Sequence, residues 1–307
     1  MEQNSSTLES TLKSSDTEEP IDIYFYRPIG YRCALLCQKL GITPNVITIA
    51  SMFIGVAAGV CFYFENNIWI TLLGIFLLVW ANTFDSVDGQ LARMTKNFSK
   101  VGRILDGFAG DLWFAAIYIA ICLRTMDEWG WWIWLTAVVT GFFHSKQASI
   151  ADYYRNIHLL FLKGKSGSEL DSSADLTKEY KSLSWNKKEW FDKIVAFFYA
   201  SYTRGQENWT PDFQKMLALI KDKFGDTAPE QFRKDFRAKS LPLMKWTNIL
   251  SFNTRAIVLC LSMLIGFPWV YFVFELTVLN IILIYMISSH EKMSRQFSEK
   301  IMQGAYN

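Results

Sequence analysis

The chain has 307 residues, 51% of them hydrophobic, with 24 Phe, 13 Tyr and 12 Trp. A net charge of +2 excludes the strongly basic balance of a nucleic-acid binder, and the aromatic load suits a membrane protein with interfacial belts. Five cysteines, at 33, 37, 61, 122 and 260, form no Cys-x-x-Cys pair and no zinc spacing, and read as reduced residues beside apolar segments.

Residues 1–20 are polar and acidic, lack the apolar stretch of a signal peptide, and read as a disordered tail. Residues 21–42 mix aromatics and leucines with Arg27, Arg32 and Lys39, the pattern of an amphipathic helix lying on the cytosolic membrane surface. Thr43-Pro44-Asn45 then opens a helix, with Pro in its first turn. Six apolar spans follow, at about 46–64, 68–92, 104–124, 130–150, 253–266 and 269–289, most of them near the ~20 residues a bilayer needs. Only Gly266-Phe267-Pro268 separates the fifth span, a short one, from the sixth. The pattern predicts an all-α integral membrane protein with six transmembrane helices. Four helices lie in 43–155 and two in 251–292, with a cytosolic tail at 293–307.

Loop charge sets the orientation. The link from Arg93 to Arg103 carries Arg93, Lys96, Lys100 and Arg103 and no acid, whereas the outer links carry Glu65, Asp127 and Glu128. Basic loops stay inside, so both chain ends and the 93–103 loop face the cytosol. Residues 156–250 form a charged cytosolic insertion, a small subdomain or membrane-lying lid, with Trp185, Trp190 and Trp209 and a helix-like stretch at 211–223. It carries no chemical signature.

Chemistry concentrates where the second span meets the third. Asp85, Asp88, Asp106 and Asp111 crowd into one stretch at the membrane edge, and acids at that depth mark a functional site by default. On a helix, Asp85, Asp88, Gly89 and Ala92 fall within about 100° of one another. The two acids form a claw beside a smooth strip where a flat ligand can approach the backbone. The apolar run from Ile68 places Asp85 roughly 25 Å along the helix, at the cytosolic boundary, with Asp106 at the same depth on the next helix. Carboxylates without thiol or imidazole favour Mg²⁺ or Mn²⁺ over zinc, and two such ions commonly brace a phosphoryl group. The bland alternative, structural ion pairs with Arg93 and Arg103, suits one acid better than three.

The run Asp85-x2-Asp88-Gly89-x2-Ala92-Arg93-x8-Gly102-x3-Asp106 resembles the signature of the CDP-alcohol phosphotransferases (CDP-alcohol phosphatidyltransferases), six-span enzymes of phospholipid synthesis. Thr43-Pro44-Asn45 also looks like that family. The resemblance covers about 45–155 and the last two spans, and leaves the insertion unmatched. It implies metal binding by Asp85, Asp88 and Asp106, and a CDP site shaped by Gly89, Ala92, Arg93 and Gly102. The family's general base is a fourth aspartate at position 110, where this chain has Gly110 and then Asp111. In a regular helix Asp111 is turned about 140° from Asp106. A single π-bulge, favoured by Gly107 and Gly110, would return it to the ions as base or fourth ligand.

Lys146, Arg155 and Arg255 lie at span ends and are candidates for holding an acceptor phosphate, against the ordinary alternative of snorkelling to headgroups. His144 reads as a polar packing residue and Glu275 as an internal polar contact. Gly55 and Gly59 form a close-packing face for another helix of the chain or for a homodimer. Two donor arrangements stay open. CDP-diacylglycerol would react with a small polar acceptor such as inositol phosphate, glycerol phosphate or serine; the three cations favour this. CDP-ethanolamine or CDP-choline would react with a lipid alcohol such as diacylglycerol or ceramide. A divalent-cation carrier and an inactive scaffold are the readings of other classes.

Overall fold

The computed structural model describes residue 8 and residues 14–64, 67–225 and 227–306. The described residues are helices joined by turns, with no β-strand among them. Most of the expected tail 1–20 lies outside them. Its end, Ser14–Thr17, forms a turn, and Glu18 accepts two hydrogen bonds from Arg27.

Two compact units form. The first comprises Met1–Ser145 and Phe252–Val278. A π-helical turn, Asp22–Tyr26, leads into α1 (Arg27–Lys39). Then come α2 (Pro44–Tyr63), α3 (Ile68–Thr95), α4 (Lys100–Trp129) and α5 (Trp132–Lys163), whose residues up to Ser145 belong to this unit. The helices α10 (Phe252–Leu264) and α11 (Val270–Phe274) complete it.

Local chemistry sets the boundaries near the acids. Pro44 occupies the first turn of α2, where its missing N–H costs nothing. Asn67 caps α3 by accepting from the Trp69 N–H. Lys96, at φ 53°, ends α3 in the left-handed region, and Ser99 Oγ caps α4 by accepting from the Gly102 N–H at 2.9 Å. This tight α3–α4 turn brings the last turns of α3 beside the first turns of α4.

Gly55 and Gly59 pack inside the unit. A Cβ at Gly55 would lie 2.1 Å from the Trp113 ring, and one at Gly59 2.9 Å from the Ala116 backbone. That contact presses α2 onto α4. The core is filled by Ala58 and Phe62 of α2, Leu78 of α3, Phe114, Ile117 and Ile121 of α4, and Leu259 and Tyr271. A smaller cluster, Ala34, Ile47, Val87 and Leu91, seats α1 on α2 and α3.

Large apolar side chains such as Phe53, Trp69, Phe76 and Val138 point outward, an arrangement that suits lipid and not water. Five helical stretches are long and apolar enough to cross a membrane: Pro44–Tyr63, Ile68–Thr95, Val101–Trp129, Glu230–Leu264 and Val270–Met302. The expected span at 130–150 is not among them, because the apolar run of α5 gives way to His144, Lys146 and Gln147 within a bilayer's length. The short fifth span expected at 253–266 gains length from the helix before it.

The second unit comprises Lys146–Ser251 and Leu279–Asn307. It holds the rest of α5, then α6 (Ser173–Ser182), α7 (Trp190–Asn208), α8 (Pro211–Phe224), α9 (Glu230–Ile249) and α12 (Asn280–Met302). Its core is aromatic: Phe161 packs 4.3 Å from Phe236, and Phe232 5.2 Å from Phe297 and 5.3 Å from Tyr306, centroid to centroid. Residues 293–307 thus contribute Phe297, Ile301 and Tyr306 to a packed core.

Candidate active site

Asp85 and Asp88 project from the penultimate turns of α3, and Asp106 from the second turn of α4. Asp85 is in hydrogen-bonding contact with Asp106 and in electrostatic contact with Asp88, and Asp88 is also within electrostatic reach of Asp106. Asp88 is 5% exposed, Asp85 half-buried and Asp106 exposed, so the cluster runs from the helix packing to the surface. Thr48 of α2 fixes the deepest acid: its hydroxyl donates to Asp88 Oδ2 at 2.5 Å. Arg27 acts electrostatically on Asp85, and Arg93 on Asp88.

The glycines beside the acids have close neighbours. A Cβ added at Gly89 would meet the Arg93 guanidinium at 3.4 Å, which places that arginine over the glycine. A Cβ at Gly102 would lie 2.9 Å from Asn45 Oδ1, so the Asn45 side chain abuts the first turn of α4. The α1 helix closes another side, where Gln90 donates to the Arg27 carbonyl at 3.1 Å and Gly30 lets α1 approach Ser86. Sequence reasoning missed Thr48, Arg27 and Asn45. Nothing in the spacing of Thr48 or Arg27 marks them, because their contacts cross 40 and 59 positions of chain, to Asp88 and to Ser86.

The helix α4 is α-helical throughout, which corrects the π-bulge expected near Gly107 and Gly110. The π-helical turns fall at Asp22–Tyr26 and Glu275–Leu279. Asp111 is therefore directed away from Asp106, and its electrostatic neighbour is His144.

His144 belongs to a buried polar network. Its Nδ1 lies 3.0 Å from Tyr118 Oη, 3.0 Å from Glu275 Oε1 and 2.7 Å from Arg255 Nη1. Arg255 Nη1 donates to Glu275 Oε1 at 2.6 Å, and the Tyr271 hydroxyl donates to the same oxygen. Arg255 is 1% exposed and its charge is met by Glu275, so this guanidinium is engaged inside the helix packing. Lys146 and Arg155 fall in the second unit, where Arg155 donates to Ser251 Oγ at 2.7 Å and Asn248 Oδ1 at 3.3 Å.

The donor set can be tested against a metal. Among the described residues no three His, Cys, Asp or Glu side chains already form a ready ligand shell. Carboxylates in mutual hydrogen-bonding contact nevertheless need a proton or a cation between them. Carboxylates with no sulfur or imidazole among them are the donor chemistry of a hard divalent ion, and an ion shared by all three would require their side chains to close around it.

An all-helical membrane protein with clustered acids where two helices meet is the class these features define. Residues 41–154 match the family model described as CDP-alcohol phosphatidyltransferase. Archaetidylinositol phosphate synthase from Pyrococcus horikoshii is 42% identical over 91 residues, 30% of this chain and 46% of the relative. The match thus spans about half the length of that curated protein. No solved structure matches the chain.

Proposed function

We propose that the protein transfers a phosphatidyl-type group from a CDP-linked lipid to a hydroxyl of a small, phosphorylated polyol, with release of CMP. The convergence of Asp85, Asp88 and Asp106 inside the family-matched segment carries this reading. The relative whose name specifies inositol phosphate supports the choice of acceptor class.

In this reading Asp85, Asp88 and Asp106 hold Mg²⁺ or Mn²⁺, two ions by the acid count. The ions supply neutralisation of the pyrophosphate and polarisation of the phosphorus under attack. The chain's own residues do the rest. Thr48 locks the Asp88 carboxylate. The small residues Gly89 and Ala92 would admit the flat cytosine once Arg93, which covers Gly89, swings out to offer its positive charge to the diphosphate. The hydroxyl of the acceptor attacks the lipid-bearing phosphorus; the new O–P bond forms as the bond to CMP breaks. With Asp111 turned toward His144, we assign the hydroxyl proton to the acceptor's own phosphate. The site lies on the cytosolic side of a six-span bundle, with α5 as the span too polar to qualify by hydropathy and α1 lying along the membrane surface.

Purified protein with labelled CDP-diacylglycerol, Mg²⁺ or Mn²⁺ and a series of soluble alcohols tests the proposal. CMP release with inositol phosphate, and little with unphosphorylated polyols, is the expected outcome. No CMP with any soluble acceptor refutes it. Release from CDP-choline or CDP-ethanolamine with diacylglycerol or ceramide would move the enzyme to the second donor arrangement. Divalent-ion flux without CMP would point to a carrier, and neither activity to a scaffold.

A further inference from the structure

The helix α7 in the second unit presents apolar side chains on two faces. Lys193, Arg204 and Glu207 bond to the segment before it, and Asp192 is exposed in its first turn. Lys193 Nζ donates to the Leu183 carbonyl at 2.5 Å and sits 4.8 Å above the Tyr180 ring. Arg204 Nη2 donates to Thr177 Oγ1 at 3.0 Å. Glu207 accepts from the backbone N–H of Ser173 at 2.9 Å and from its hydroxyl. Another face is apolar, exposed at Phe191, Phe198 and Tyr202 and half-buried at Ile194 and Gly205, where Lys146 Nζ lies 3.9 Å from the Cβ position. Phe191, Ile194, Phe198, Ser201, Tyr202 and Gly205 fall within about 100° of one another on the helix, with no charged residue among them. Phe198 is 63% exposed and Trp190, at the edge of this face, 50%.

An amphipathic helix normally turns this face to its core. Here the core-facing side is already packed with Val195, Ala196, Ala200 and Thr203. The outward aromatics thus form a second apolar surface that the fold leaves uncovered. Two observations select its occupant. Lys187 and Lys188 are exposed immediately before the helix, so positive charge lines the end of the apolar face. The remainder of the chain holds five stretches able to cross a bilayer, so a lipid surface is tethered to this helix at all times. Aromatic side chains with flanking lysines match the boundary between headgroups and acyl chains.

We propose that α7 lies in the membrane interface, with Phe191, Phe198 and Tyr202 inserted among the acyl chains and Lys187 and Lys188 at anionic headgroups. The insertion between the spans is then a second, peripheral membrane contact. This assignment is independent of the transferase reading.

A photo-crosslinking benzoylphenylalanine placed at position 191 or 198 of the full chain, in native membranes containing an alkyne-tagged lipid, tests it. Both positions are exposed, so the label leaves the packed face of the helix intact. Position 178 serves as the control, because the Lys178 side chain is 79% exposed on α6 and already carries charge. Tagged-lipid adducts at 191 and 198, and none at 178, are expected. Absence of lipid adduct at 198, equal labelling at 178 and 198, or an adduct of 198 with a second copy of the chain each overturns the proposal.

Discussion

The buried pair Arg255–Glu275 allows a quantitative test of the helix packing. Arg255 is 1% exposed and Glu275 fully buried, with Nη1 and Oε1 2.6 Å apart. Glu275→Gln removes the negative charge at nearly constant volume and leaves Arg255 without a counter-charge in apolar surroundings. Breaking a buried pair by removing one partner costs about 3–5 kcal/mol. At about 2–4 °C of melting temperature per kcal/mol for a unit of this size, the expected fall is roughly 6–20 °C. Arg255→Met should cost a similar amount, softened by the hydroxyl of Tyr271, which still donates to Glu275. The double variant removes both charges together, so it should melt above the less stable single variant. Thermal unfolding in detergent, followed by intrinsic fluorescence, reads all four proteins. Single variants within about 1 kcal/mol of the parent, or a double variant whose loss is the sum of the two, would refute the view that this pair is a coupled charge pair.

Asp85→Asn and Asp106→Asn should each lower CMP release by more than about 100-fold without lowering the melting temperature, and equal losses of both would show a structural role instead. Thr48→Val removes the hydroxyl that locks Asp88 and should raise the divalent-ion concentration needed for half-maximal turnover by about 10–100-fold; an unchanged ion dependence would separate Thr48 from the site. In the second unit, Arg295 donates to Asp212 from Nη2 at 2.8 Å and holds its carboxyl below the usual carboxylate range. A depressed folded-state value stabilises above the unfolded value and is lost as pH falls through the folded one, so the destabilisation by Asp212→Asn should be present at neutral pH and fade below about pH 4 in a melting-temperature profile. Gly110→Asp restores an acid one turn after Asp106 in a position with open space around it, and should raise CMP release, whereas Asp111→Asn should leave it within a few-fold; the reverse pattern would return the base to Asp111.

The helices were legible because their signals are local. Apolar runs bounded by Pro44, Asn67 and Ser99 define α2, α3 and α4 with no reference to the rest of the chain. The acid claw was legible for the same reason, since Asp85, Asp88 and Gly89 share one helix face by spacing alone. What sequence reading lacked lies in contacts between distant segments. Thr48 reaches Asp88 from another helix, and Glu275 finds Arg255, His144 and Tyr271 only once the bundle is assembled. The aromatic core of the second unit draws Phe161, Phe232 and Phe297 from three separated helices, so residues 293–307 read as a tail by composition although they pack.

The one-residue shift of the fourth acid has a structural counterpart. An aspartate at 110 would share the face of Asp106, and a regular α4 gives Gly110 that place instead. The same regular helix carries Asp111 toward His144, whose Nδ1 is occupied by Arg255 and Tyr118. Two polar centres therefore lie on different sides of one helix: an all-oxygen cluster at Asp85, Asp88 and Asp106, and a charge-balanced network around Glu275. The first reaches the surface at Asp106 and is anchored at Asp88 by the Thr48 hydroxyl, which suits exchange of a charged ligand. The second is sealed and internally neutralised, which suits the fixing of α4 against α5, α10 and α11. The helix α4 contributes Asp106 to the first and Tyr118 to the second. Asp111, between them in sequence, belongs to the side that holds the helix in place.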